Sequence, residues 1–170
     1  MLDRLIDLLI QCVGWFVPFC VIDDFEKAIV LRFGRYHRTL EPGFHWLVPL
    51  EVERVISDNV VPRLLNLGAQ SLTTQDGHQV VIGAIVTARI HDIKKSILDV
   101  ENVDAAVQDS CYAEIASVVH AHTWDEMQAE GINEELRIAC RKRAFGYGVE
   151  IMRVQASDLA RCKTLRLIQA

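Results

Sequence analysis

Glu26-Lys27-Ala28-Ile29-Val30-Leu31-Arg32-Phe33-Gly34-Arg35-Tyr36-His37 decides how this chain is read, because a β-rich run with turn chemistry after it follows an apolar N-terminal segment. Strand alternation sends Ala28, Val30 and Arg32 to one side and Ile29, Leu31 and Phe33 to the other, which predicts one fully apolar face. Gly34 ends the run. Glu41-Pro42-Gly43 then pairs a proline that presets φ with a glycine free to take φ > 0, and Phe44-His45-Trp46-Leu47-Val48-Pro49 restarts the strand pattern. This order places a folded domain hard against a membrane.

Upstream, Leu2, Leu5, Ile6, Leu9, Ile10 and Val13 recur at helical spacing, with Asp3, Asp7 and Gln11 on the opposite side, as in an amphipathic helix. Gly14 to Ile22 follows without a charge, and Pro18 bends or breaks any helix there. The uncharged stretch Leu8 to Ile22 is fifteen residues. As helix it covers about 22 Å of a hydrocarbon core roughly 30 Å thick. The preferred reading of residues 1–22 is an anchor that enters one leaflet, kinks at Pro18 and returns, held by Leu9, Val13, Trp15, Phe16, Pro18 and Phe19. A helix docked in the domain's own core and a tilted single crossing are the alternatives. Asp3 beside Arg4, and no small-x-small site before Asp23, argue against a secretory signal.

Downstream, Asp76-Gly77 reads as the turn between two antiparallel strands. The second, Gln79 to Ile90, puts Val80, Ile82, Ala84, Val86, Ala88 and Ile90 on one core face and Arg89 with Val81, Ile85 and Thr87 on the other. From Asp92 the period becomes helical. Val107, Cys111, Ile115, Val118 and His122 form a stripe, with Asp104, Asp109 and Glu114 towards water. Thr123-Trp124-Asp125-Glu126 is a capping box. A further helix through Ile132, Leu136, Ala139 and Cys140 stops in Gly146-Tyr147-Gly148, and a last strand runs from Val149 to about Ser157. The order predicts an α+β fold, mostly antiparallel sheet in the first half, then helices and a closing strand.

These landmarks also carry a resemblance. Glu26 to Arg35, Pro42-Gly43-Phe44-His45-Trp46 with Pro49, Thr73-Thr74-Gln75-Asp76-Gly77, and Gly148-Val149-Glu150-Ile151-Met152-Arg153-Val154 through Asp158-Leu159 resemble, in order, the SPFH (band 7) domain of stomatin, prohibitin and flotillin. The resemblance spans residues 26 to about 159. It implies a domain over 23–160 and a C-terminal helix starting over 161–170. Stomatin-like members carry a short intramembrane hairpin with a proline where Pro18 stands. The family commonly continues into a long coiled coil, so assembly by residues 1–170 would rest on the domain and the anchor. Function by resemblance is a membrane-attached, oligomeric, non-enzymatic scaffold that organises membrane or regulates integral membrane proteins such as proteases or channels. A monomeric lipid-binding module is the runner-up, and a thiol-dependent enzyme comes third.

Composition bounds the chemistry. The 170 residues suffice for one domain with a real core, and 51% hydrophobic content with a mean hydropathy of +0.17 reflects the apolar start. Five cysteines, with no Cys-x-x-Cys, favour reduced thiols facing the cytosol or a similar compartment over disulfides or zinc. Cys20 lies where a juxtamembrane thiol can be acylated. No phosphate-binding glycine loop or Gly-x-Ser-x-Gly is present, and no cofactor or catalytic site is expected. His120 and His122 sit about 200° apart on a helix and cannot share a ligand face; a Cys/His nucleophile pair such as Cys111 with His120 needs partners that are distant in sequence. An acidic chain without an aromatic-basic motif is a poor nucleic-acid binder.

Charge is distributed unevenly within the net −5. Ser96 to Glu135 holds ten acidic residues and no Lys or Arg, whereas Arg137 to Arg166 holds eight basic ones against Glu150 and Asp158. Either two helices neutralise each other within one molecule, or copies assemble head to tail through Glu134, Glu135, Arg141, Lys142 and Arg143. Lys27, Arg32, Arg35 and Arg38, with His37, are candidate contacts to lipid headgroups.

Overall fold

The computed structural model describes residues 19–50, 52–129 and 131–162, and these divide into two compact units, Met1–Val61 and Pro62–Ala170. In the first, β1 (Phe19–Ile22) pairs antiparallel with β4 (Gly43–Trp46), while β2 (Glu26–Arg32) lies between β3 (Arg35–Leu40) and β5 (Glu53–Asn59). Phe19–Ile22, the last four residues of the expected anchor, form strand instead, and residues 1–18 of it lie outside the described residues. Four apolar residues joined to an apolar segment offer no compositional boundary, so only the pairing with β4 marks it.

β2 is the central strand of its sheet, with both edges paired. Ala28, Ile29 and Val30 are all fully buried, so both faces are covered at mid-strand instead of one. Phe33 does not continue the apolar face: with Gly34 it forms the two-residue turn to β3, both residues at positive φ (49° and 76°), and its ring is 80% exposed. Such a turn matches the strand twist but suits Asn or Gly far better than Phe. The unit's small core is Ile22, Ala28, Val30 and Leu40, with Cys20, Leu47 and Val55 packed against it.

In the second unit β7 (Gln79–Ile90) is the centre of a β6-β7-β8 antiparallel sheet with β6 (Arg63–Thr73) and β8 (Val149–Arg161). The Asp76-Gly77 turn and the β7 core face stand as read: Val80, Ile82, Ala84, Val86, Ala88 and Ile90 are all buried. β8 runs to Arg161, past the expected end near Ser157, so Arg161 belongs to strand; residues 163–170, where a helix start was expected, lie outside the described residues. The helices among the described residues of this unit are α1 (Ile93–Leu98), α2 (Val103–Ala121), α3 (Trp124–Met127) and α4 (Ile132–Ala144), and the last three contribute to its core. Asp92 caps α1 by accepting from the Lys94 and Lys95 amides, and Thr123 and Glu126 close the capping box of α3. The α2 stripe Val107, Cys111, Ile115 and Val118 packs with Leu136, Cys140 and Ala144 of α4 in one cluster with the β7 face.

Gly148 ends α4 and its trailing 3-10 turn in the left-handed region (φ 75°), and its carbonyl accepts from the His91 and Asp92 amides. A Cβ there would lie 2.4 Å from the Asp92 carbonyl oxygen. Both conformation and space demand glycine.

Candidate membrane-facing surface

In the first unit the β1–β4 register sets Phe19 opposite Trp46 and Val21 opposite Phe44, so these four side chains share one face, while Cys20, Ile22 and His45 take the other. The rings form a cluster: Phe19 stacks on Phe44 at 5.3 Å, and Trp46 stands edge-on to Phe44 at 5.5 Å and to Phe19 at 6.4 Å. The face is open, with Phe19, Val21, Phe44 and Trp46 exposed by 45, 65, 54 and 66%. Four adjoining apolar side chains without a polar interruption form a patch that water does not favour. Phe19 was expected to contact membrane; Val21, Phe44 and Trp46 were not singled out, although Phe44-x-Trp46 already had strand spacing. Leu9, Val13, Trp15, Phe16 and Pro18 lie outside the described residues.

Beside this face sits a buried carboxylate. Glu53 is 8% exposed and accepts from Arg32 Nη2 at 2.6 Å, Arg32 Nε at 3.0 Å and the Val48 amide at 3.0 Å, with Arg38 Nη2 at 3.8 Å. Burial pushes its pKa up, but the Val48 amide and the two guanidiniums outweigh that and hold the carboxyl below the usual range. Arg38 also donates to the Trp46 carbonyl at 2.7 Å, tying this cluster to the aromatic strand. Among the four basic headgroup candidates, Arg32 and Arg38 thus converge on Glu53, Lys27 pairs with Glu41 at 2.7 Å, and Arg35 is exposed. Nothing in the local sequence singles out Glu53, because its partners are long-range.

Cys20 faces the small core, where burial pushes its thiol up. An acylated thiol needs the opposite placement. Cys111 and Cys140 are buried side by side between α2 and α4; hydrogen bonding to the Cys111 sulfur and burial push the Cys140 thiol up. His120 instead places Nδ1 2.6 Å from the Thr73 carbonyl at the surface, so the structure does not bring it to Cys111. His122, at the end of α2, lies 3.1 Å from Glu135. Among the described residues no group of three or more His, Cys, Asp or Glu could hold a metal ion, and no helix is long and apolar enough to cross a membrane.

The charged candidates of α4 are engaged within the chain. Glu134 pairs with Arg137, Glu135 with His122, Arg141 with Glu150 at 3.3 Å and Arg143 with Glu114 of α2 at 3.6 Å, while Lys142 is exposed. Glu114–Arg143 is the neutralisation between helices that the charge pattern allowed.

A small β unit with an open aromatic face, joined in sequence to a sheet-and-helix unit, defines an α+β protein. The family model described as SPFH domain / Band 7 family matches residues 21–166, and the chain belongs to that family. Its relatives include an uncharacterized protein of Methanocaldococcus jannaschii, 23% identical over 82% of this chain and 70% of that protein. A stomatin homolog of Pyrococcus horikoshii is 24% identical over 82% of this chain and 53% of its own length. Mitochondrial stomatin-like protein 2 of Homo sapiens is 26% identical over 79% of this chain. The match spans only 38% of that last protein, so much of the stomatin-like relatives' length has no counterpart in it. The family is in general one of membrane-associated, non-enzymatic scaffolds.

Proposed function

We propose that this chain is a membrane-attached scaffold that assembles with copies of itself on one leaflet and holds or regulates integral membrane proteins, with membrane proteases or channels as the class of client. The carrying observation is the aromatic β1–β4 face, exposed directly after an apolar segment in a chain of the SPFH family. Residues 1–18 serve as the anchor. The domain faces the cytosol or an equivalent reducing compartment, in keeping with five cysteines, of which the four in the described residues are free. Assembly sets the acidic surface around the start of α2 on one copy against the basic end of α4 on the next. Lys142 and the exposed Asp99, Glu101 and Asp109 are available for this, whereas Glu134, Glu135, Arg141 and Arg143 would have to share their present partners.

Carbonate extraction of membranes carrying the full chain tests the attachment. The protein is expected to stay in the pellet through alkaline carbonate and high salt; release by salt alone would reduce it to a peripheral lipid-binding module.

A further inference from the structure

We infer that Cys111 and Cys140 form a redox-active dithiol, a site at which a hydroperoxide closes a disulfide that ties α2 to α4. The inference is independent of the membrane and assembly readings. Both side chains belong to the core cluster of the second unit, at 1% and 0% exposure, one from the apolar stripe of α2 and one from that of α4. They are hydrogen-bonded to each other, the Cys140 S–H donating and the Cys111 sulfur accepting. Two thiols in contact are the starting arrangement for an S–S bond of about 2 Å. Cys20 packs against the first unit's small core and Cys162 is exposed, so this pair is set apart by its burial and by its mutual contact.

The hydrogen bond divides the roles. It lowers the Cys111 thiol from its ordinary value, against burial and the Glu114 carboxylate, whereas Cys140 is pushed up. Cys111 is therefore the attacking sulfur. Its thiolate attacks one oxygen of hydrogen peroxide, the O–O bond breaks, Cys111 becomes a sulfenic acid, and the departing hydroxide takes up the thiol proton as water. The Cys140 sulfur then attacks the Cys111 sulfur, the S–O bond breaks, and a second water leaves with the Cys140 proton. Two thiols and one hydrogen peroxide give one disulfide and two waters, the peroxide taking the two electrons. A dithiol reductant reverses the link by thiol–disulfide exchange.

Glu114 stands at the entrance to this pair. Its carboxylate opposes ionisation of both sulfurs, and it lies 3.6 Å from Arg143 across the seam between α2 and α4. Glu114 and Arg143 follow Cys111 and Cys140 by three residues, so the ion pair sits about one turn along each helix from the dithiol. Their side chains are 30% and 65% exposed, which makes the closure weak and water-facing. Peroxide is small and needs only a brief parting of that seam, whereas a bulky thiol reagent stays out.

The test treats the folded full chain with hydrogen peroxide, quenches in acid, alkylates the remaining thiols under denaturing conditions and maps the digested peptides by mass. The expected product is a peptide pair joining Cys111 to Cys140, two hydrogens lighter than the reduced peptides and released by dithiothreitol. Cys140→Ser should stop at the Cys111 sulfenic acid, captured by dimedone, and Cys111→Ser should leave Cys140 without an adduct. Because a serine in the core can loosen the fold, Glu114→Gln at the seam gives an independent reading. Removing the opposing charge should speed formation of the link by about threefold or more. A folded chain that keeps both thiols free after Cys162 has been oxidised would overturn the inference, as would Cys111 joined to a different cysteine. A link that forms only once the chain is unfolded would overturn it as well.

Discussion

Glu53 carries the strongest electrostatic commitment described in the first unit, a carboxylate almost withdrawn from water and held by Arg32, Arg38 and the Val48 amide. Its folded pKa is depressed, so its contribution to stability is complete above the unfolded value of about 4.3 and disappears as pH falls through the folded pKa. Glu53→Gln should destabilise at neutral pH by about 1–3 kcal/mol, moderated by the partial exposure of both arginines, and should flatten the acid limb of the stability curve. Denaturant melts between pH 2 and 7 check both effects. Phe33 makes the opposite kind of prediction. It occupies a left-handed turn position with its ring in water, so Phe33→Asn should raise the melting temperature, a gain of about 0.5–1 kcal/mol. At Gly148 an alanine meets the Asp92 carbonyl in a conformation that already disfavours it, and Gly148→Ala should cost about 2–4 kcal/mol by the same assay.

Among the elements, those legible in sequence are the ones whose signals are local. The Asp76-Gly77 turn, the alternation of β7, the capping box of α3 and the Gly148 stop each depend on residues within a few positions of one another, and all four form. Where an element is defined by a distant partner the reading stops short. β1 exists because Phe44 and Trp46 return beside it, and the extra length of β8 because Gln79 to Gly83 offer edge groups. The candidate surface divides the same way: Phe19 was legible from its apolar neighbours, Trp46 only from the register. Thr123 gives an element-scale test. Thr123→Ala removes the side-chain acceptor of the α3 cap and should cost about 1 kcal/mol, visible as faster amide exchange at Glu126 and Met127.

At the scale of the whole molecule, the charge asymmetry has two outlets. Inside the chain, Glu114–Arg143 and Asp104–Arg63 absorb part of it. Asp99, Glu101 and Asp109 on the acidic side and Lys142 on the basic side remain exposed, and contacts between exposed charges weaken beyond a screening length of about 8 Å at physiological salt. Assembly through these surfaces should therefore loosen as ionic strength rises, and Lys142→Glu should shift it to lower multiples. Sedimentation of the detergent-solubilised full chain across a salt series checks that point.

The central claim is a scaffold assembled on a membrane, and cross-linking the full chain while it is bound to vesicles, followed by mass analysis, meets it most directly. A ladder of multiples that shortens as the salt is raised is the predicted result. A single monomeric band from protein that floats with the vesicles would contradict assembly and leave a lone lipid-binding domain in its place.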